Sequence, residues 1–267
     1  MCGISGLVGN NWNKSNLESM VNVLNHRGPD DSGCFINKDA TVGLGHNRLS
    51  IIDLSKSGHQ PMSNKHKSFW ITFNGEIYNY IELKKQLKGY PFRTKTDTEV
   101  IIAAYEKWGE NCVKYFNGMF SFAIWDDKEK TLFCARDRVG IKPFFYSNSN
   151  EKFIFASEIK AILAAGHIAK PNWSTWSNYL VKGIYDYSDE SFFEGIYSLK
   201  AGHTLILKRK KIKIKKYWDI NSTKEVKSDY DLDKESNFFI SLLITRLIPQ
   251  KKKLANSKNE TKPKLCK

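Results

Sequence analysis

Cys2, directly behind the initiator methionine, is the residue of this sequence with the most specific chemistry open to it. A side chain this small at position 2 predicts removal of Met1. That would leave a thiol and a free α-amine on one residue. An α-amine has a pKa of about 8. It can take the thiol proton directly or through one water, as an N-terminal threonine is activated by its own amine. Thiolate is the nucleophilic form, so Cys2 could supply nucleophile and base together. Gly3 would let a substrate backbone or a neighbouring loop come close. Acyl transfer from such a thiol also needs donors for an oxyanion. Asn74-Gly75 follows the apolar run Phe69–Phe73 and offers a side-chain and a backbone N–H. The same dipeptide equally reads as an ordinary hairpin turn. An amino-acid substrate would want a guanidinium for its carboxylate and a carboxylate for its ammonium. Arg48, Glu76 and Asp97 stand near strand and helix ends, where each could serve or could be a solvated surface charge.

These groups must be positioned by the elements between them. Residues 1–9 read as a short strand with glycines at 3, 6 and 9. Leu17–Leu24 has helical spacing and ends before the turn-forming cluster His26-Arg27-Gly28-Pro29-Asp30. Thr41–Asn47 and Phe69–Phe73 read as strands, with Asn74-Gly75 as a turn after the second. Tyr80–Leu87 and Thr98–Trp108 read as helices, the latter capped by Thr96 or Asp97. Phe120–Trp125 with Leu132–Arg136, and Phe144–Tyr146 with Phe153–Ala156, read as hairpins. Ser157–Ala165 and Trp173–Val181 read as helices. Gly195–Leu207 and Lys210–Trp218 read as a final hairpin, and Phe238–Leu247 as a last apolar helix. Strands interleave with few helices and no βαβ rhythm, so the pattern predicts an α+β fold with mainly antiparallel sheets.

Composition bounds the function. An apolar share of 41% and an aromatic share of 13% can fill a core, which argues against wholesale disorder. No apolar run reaches the roughly 18 residues of a membrane helix, and the N-terminus lacks a charged segment and a long apolar one, so a cytoplasmic protein without membrane association is expected. The five cysteines (2, 34, 112, 134 and 266) form no C-x-x-C pair, which argues against a disulfide framework and a zinc site. The formal charge of +14 suggests nucleic acid. Half of it, however, falls between Arg246 and Lys267, where eight Lys/Arg face one Glu in 22 residues. A nucleic-acid role through that tail is therefore the lesser reading.

Taken together, Cys2-Gly3-Ile4, His26 to Asp30, Arg48 to Asp53, Asn74 to Asn79 and Thr96 to Glu99 come in an order that resembles the N-terminal-nucleophile glutamine amidotransferases. The resemblance is to those of the glutamine-hydrolysing asparagine synthetases, and it covers about residues 2–220. Gly118 to Ala123, Ala135 to Pro143 and Phe155 to Lys160 agree with it. It implies an Ntn-hydrolase fold, a four-layer α/β/β/α sandwich of mainly antiparallel sheets. It implies that Cys2 attacks the glutamine side-chain amide, that Asn74 and Gly75 form the oxyanion hole, and that Arg48 holds the substrate carboxylate. Glu76 and Asp97 would contact the substrate amino end, and Leu49, Ser50, Ile51 and Ile52 would line the pocket.

The resemblance implies glutaminase residues 2–210, a synthetase start at 211–248 and, beyond it, a basic and disordered tail at 249–267. Glutamine hydrolysis would need no cofactor and no metal. ATP and Mg²⁺ would enter only with a synthetase domain or partner. The family's Ser-Gly-Gly-x-Asp-Ser loop is absent from the sequence. That leaves open a truncated or frameshifted product, or a stand-alone glutaminase feeding a separate synthetase subunit. A homodimer, and an inactive or regulatory module serving another amidation pathway, also stay open.

Overall fold

The computed structural model describes residues 1–149, 151–185 and 187–220. The helix expected at Phe238–Leu247 and the basic tail lie outside the described residues.

Two six-stranded antiparallel sheets stack face to face. The first has β1 (Gly3–Gly9) near its centre, between β3 (Val42–Arg48) and β9 (Lys152–Ala156). β2 (Asp31–Ile36) lies beyond β3, and β8 (Phe145–Asn148) and β10 (Ile196–Ser198) lie beyond β9. The second sheet runs in the order β12 (Lys211–Lys216), β11 (His203–Lys208), β7 (Thr131–Arg136), β6 (Gly118–Asp126), β5 (Phe69–Ile77) and β4 (Met62–Ser63).

Side chains alternate across each strand, so each sheet buries two faces. Ile4, Val42, Leu44, Ala123, Trp125, Phe144 and Phe155 fill the space between the sheets. Leu7 packs outward beneath α1 (Lys14–Val23) and α4 (Ile159–Ala164). Ile71, Phe73 and Ile77 pack outward beneath α2 (Tyr80–Gln86) and α3 (Asp97–Trp108). A further helix, α5 (Trp173–Lys182), follows α4. The result is the expected four layers. Packing between the sheets leaves no spare volume at Gly6, where a Cβ would come within 2.3 Å of the Phe155 ring.

At one end the filling turns polar. Thr72 Oγ1 donates to Gly45 O (2.9 Å), and His46 Nε2 donates to Phe73 O (3.0 Å). Both bonds cross from one sheet to the other and set their separation there. His46 is fully buried and its Nδ1 has no partner among the described residues. An imidazole so placed resists protonation: burial pushes its pKa down to about 4.

Three local expectations need correction. Asn74-Gly75 is not a turn but lies inside β5, opposite Ser121 and Phe120. The nine-residue pairing with β6 overrides the turn preference of the dipeptide, since its glycine is needed for close approach: a Cβ on Gly75 would sit 2.2 Å from Met119 O. Gly195–Leu207 is not one strand. Ile196–Ser198 pairs with β8 in the first sheet, and the chain crosses to the second sheet before His203–Lys208 pairs with β7. β2 went unread because its glycine and polar residues lack alternation. It holds by pairing six residues with β3. At α3 the cap is Thr96, whose hydroxyl accepts from Glu99 N.

His46 makes stability acid-sensitive. The unfolded chain takes a proton near the ordinary 6.5 and the folded chain not until about 4, so stability falls as pH drops through that window. By pH 5 the loss is about 2 kcal/mol. His46→Gln, which keeps a donor without a titrating group, is expected to narrow its gap to the parent by about that amount between pH 7 and 5 in urea melts. An unchanged gap would contradict the lowered pKa of the buried imidazole.

Candidate active site

Cys2 immediately precedes β1, and three interactions hold that end of the chain. Arg27, almost fully buried, donates through Nε to Cys2 O (2.9 Å) and through Nη1 to Glu158 Oε1 (2.8 Å). Ser157 Oγ accepts from Ile4 N (3.0 Å), and Ser157 N donates to Ile4 O (2.9 Å). Burial works against the charge on Glu158, yet Arg27, His26 and Lys160 together hold its pKa down at about 2. Gly28 permits this arrangement, because a Cβ there would collide with the Asn47 and Arg48 backbone at 2.5 Å.

The Cys2 side chain faces a cleft of about 190 Å³ that opens between the ends of the two sheets. Its thiol lies 3.4 Å from Leu49 N and 3.6 Å from Leu49 O. Burial pushes the Cys2 thiol above its ordinary value near 9, against the Leu49 N–H and the positive charges of the N-terminus and Arg48.

Across the cleft stand Asn74 and Gly75. Asn74 is 1% exposed, and its Nδ2 has no hydrogen-bond partner among the described residues. Gly75 N–H is unpaired for a topological reason. Phe120, its register partner, engages Asp137 through both its N–H (3.2 Å to Oδ2) and its carbonyl (2.8 Å from Asp137 N). Gly75 and Phe120 therefore face each other in a non-hydrogen-bonded pair, and the Gly75 N–H points away from β6. On that side its neighbours two residues away are both capped, Phe73 N by Gln60 Oε1 (2.8 Å) and Ile77 N by Asp97 Oδ2 (2.9 Å). Between them, no group among the described residues takes the Gly75 N–H. Two donors, one side-chain and one backbone, thus converge unpaired on the cleft that holds the thiol. Buried donors are rarely left so, and an oxyanion would satisfy both.

The remaining expected residues divide. Arg48, Leu49, Ile51, Ile52, Glu76 and Asp97 line this cleft. Arg48 is held by the carbonyls of Ser55 (2.8 Å) and Asp53, and Gly58 lets that loop lie against the guanidinium. Asp97 is 4% exposed, and burial pushes its carboxyl up to about 7 against the Ile77 N–H, with like-charged Glu76 adding to the rise. Burial also raises Glu76, which Lys142 opposes. Ser50 lines an adjoining depression instead, with Asp30, Asp31, Lys56 and His59, and its N–H donates to Asp30 Oδ2 (2.7 Å).

Gln60, Thr96, Met119 and Lys142 also line the cleft and were not expected there from the sequence, where Thr96 was read as a helix cap. Gln60 carries no local signal, and Met119 lies in the segment Gly118–Ala123, which the family resemblance covers. Lys142 lies in the segment Ala135–Pro143, already matched to the family, and only folding shows that its side chain reaches Cys2's cleft. Among the described residues no group of three or more His, Cys, Asp or Glu could hold a metal ion, and no helix is long and apolar enough to cross a membrane. Cys34, Cys112 and Cys134 are free thiols, and none lines this cleft.

The raised thiol has a measurable consequence. With Met1 retained, alkylation of Cys2 by iodoacetamide is expected to keep accelerating above pH 9, later than for a simple thiol, when followed by peptide mass spectrometry. A plateau by pH 8 would contradict the burial described.

Comparison with known proteins agrees with this geometry. Residues 1–218 match a family model described as a glutamine amidotransferase domain. A Methanocaldococcus jannaschii relative is 41% identical over 249 residues, covering 85% of this chain and 48% of the relative. Asparagine synthetase [glutamine-hydrolyzing] 3 of Bacillus subtilis is 38% identical over 237 residues, covering 85% of this chain and 38% of its own length. Amidase chry2 of Gibberella zeae is 38% identical over 210 residues, covering 76% and 30%. The chain thus spans about half or less of these relatives. The fold resembles that of the glutamine phosphoribosylpyrophosphate amidotransferase of B. subtilis, with a TM-score of 0.61 at 18% identity over 81% of this chain and 49% of that one, which makes it an Ntn-hydrolase-like fold. By the extent of the family match and its agreement with the relatives, the chain belongs to the glutamine amidotransferase domain family, in its asparagine synthetase type.

Proposed function

We propose that this domain hydrolyses glutamine to glutamate and ammonia through a thioester on Cys2, after Met1 has been removed. The observation that carries the reading is the pair of unpaired donors, Asn74 Nδ2 and Gly75 N–H, on the cleft that Cys2 lines. The freed α-amine takes the thiol proton, and the thiolate attacks the side-chain amide carbon of glutamine. The oxyanion gathers on Asn74 and Gly75. Collapse of the tetrahedral intermediate breaks the C–N bond. The leaving nitrogen takes the proton held by the α-ammonium and departs as ammonia. Water then adds to the thioester, with the α-amine as base, and glutamate leaves with the thiol restored.

Arg48 binds the substrate carboxylate with the N–H groups its loop carbonyls leave over. Glu76 and Asp97 receive the α-ammonium, and Leu49, Ile51 and Ile52 shape the entry, with Ser50 holding that segment to Asp30. The curated relatives whose names say they hydrolyse glutamine to make asparagine are two to three times longer than the stretch matched here. We therefore assign the ammonia to a synthetase region, in the same polypeptide or a partner. ATP and Mg²⁺ belong with that region and are given no role in this cleft.

Cys2→Ala is expected to abolish glutamate release, and a glutamine-mimicking chloroketone to label Cys2 alone. Asn74→Ala should lower kcat about 100–1000-fold with the fold intact. Full activity in protein shown by mass spectrometry to retain Met1 would refute the amine's role as base. Binding should also expel a proton near neutrality. Asp97, protonated below about 7 in the free site, must ionise to meet the substrate ammonium. Calorimetry of glutamine with Cys2→Ala, in buffers of different ionisation enthalpy, should show proton release at pH 6.5 that fades by pH 8.5.

A further inference from the structure

Two opposite charges enter the Cys2 cleft unpaired. Glu76 is half-buried on β5, two residues past Asn74 and so on the same face, with Met119 as its register partner. Lys142 comes from the segment between β7 and β8 and is 5% exposed. Among the described residues, neither the carboxylate nor the ammonium makes a hydrogen bond or an ion pair. The Lys142 main chain, by contrast, is fastened on both sides. Its N–H donates to Asp137 Oδ2 (2.9 Å), and its carbonyl accepts from Arg136 Nε (2.8 Å). Ile141 N donates to Asp137 Oδ1 (2.9 Å), so fully buried Asp137 organises the whole turn. A lysine ammonium taken this far out of water is costly unless a negative group repays it. Of the negative groups facing the ammonium, Glu76 weighs more than Asp137 within the turn. What the position offers is a view of the substrate end of the cleft.

We propose that Lys142 is a positioning residue for substrate binding: from the cleft wall its ammonium keeps Glu76 ionised, so that Glu76 and Asp97 together present a negative receptor for the α-ammonium of glutamine. The proposal rests on the glutaminase reading given above. The charges facing the pair are Asp97 and Tyr78 toward Glu76, and Cys2, Asp137 and Arg27 toward Lys142. Burial pushes Glu76 toward its neutral form, and Lys142 is the cation that opposes it. Arg27 is turned the other way, onto Cys2 O and Glu158, and Arg48 onto its loop carbonyls. Without Lys142, burial would act on Glu76 unopposed and the receptor would lose negative charge. With Lys142 present, only Asp97 needs to release a proton when substrate arrives.

The test measures kcat and KM for glutamine between pH 5.5 and 8.5 in the full chain with Met1 removed, comparing the parent with Lys142→Met and Lys142→Arg. Losing the cation raises the Glu76 pKa. Lys142→Met is then expected to raise KM about tenfold at pH 6 and by less than about threefold at pH 8, with kcat within about threefold. Lys142→Arg should restore the parent profile. A KM for Lys142→Met that equals the parent's across the range overturns the proposal, as does an equal loss at every pH that Lys142→Arg fails to mend. Should Lys142→Met not fold, judged by circular dichroism, Lys142→Gln takes its place with the same outcomes. Turnover in the parent with no Lys142 effect removes this proposal alone. Absence of turnover in the parent removes the glutaminase reading, and the proposal with it.

Discussion

A chain terminus is ordinarily the loosest part of a domain, and here the terminus must be among the most rigid. The constraint is met by building the sheet around it. β1 is hydrogen-bonded on both edges, to β3 and β9, so the residue preceding it cannot fray without breaking two ladders. Arg27 then fastens the Cys2 carbonyl itself, and Glu158 fastens Arg27. The bond to a main-chain carbonyl leaves the thiol and the α-nitrogen free to react. Most of the surrounding architecture follows from that need. β3 carries Arg48 beside the nucleophile, and the segment after it brings Leu49 within reach of the sulfur.

The second half of the site belongs to the other sheet, so its geometry depends on how the two sheets are held apart. Over most of their area they are separated by aliphatic and aromatic side chains, which resist compression but carry little directional information. At the cleft end direction is supplied by His46 and Thr72, whose side chains bond main-chain carbonyls across the gap. The neutral imidazole is a stiff spacer that donates to the residue immediately before Asn74. Asn74 and Gly75 are thus referenced to the strand next to Cys2 rather than to a flexible loop.

Within the cleft, the same burial that excludes water works against nearly every ionised form the chemistry needs. It raises the Cys2 thiol, the Glu76 carboxyl and, most of all, Asp97. Each is opposed by particular groups: the Leu49 N–H, the N-terminal charge and Arg48 at Cys2, Lys142 at Glu76, the Ile77 N–H at Asp97. The cleft's own groups therefore leave donors unpaired on one wall and carboxylates short of positive charge on the other. On the proposed function, a zwitterion carrying a polarisable amide would complete both.

The amino-acid order by itself determined which groups form the candidate site. A thiol at position 2, an Asn-Gly after an apolar strand, and Arg48, Glu76 and Asp97 could be read as a set, because each role demands a particular functional group and the motifs keep their order along the chain. Helices with clear apolar spacing, such as Thr98–Trp108, and the interleaving of strands with few helices were legible for the same reason: they are local. What pairing decides was not legible. Asn74-Gly75 reads as a turn from its neighbours and becomes mid-strand because β6 pairs with all of β5. Ile196–Ser198 reads as continuous with the strand after it and instead joins the other sheet. Gln60 reaches the cleft from a segment with no local mark of function, and Lys142 from a matched segment whose order along the chain does not show that its side chain enters the cleft. Only the tertiary structure decides such things, because an unpaired N–H, a buried charge or a cross-sheet bond is a property of what lies opposite a residue, and the chain does not specify that until it has folded.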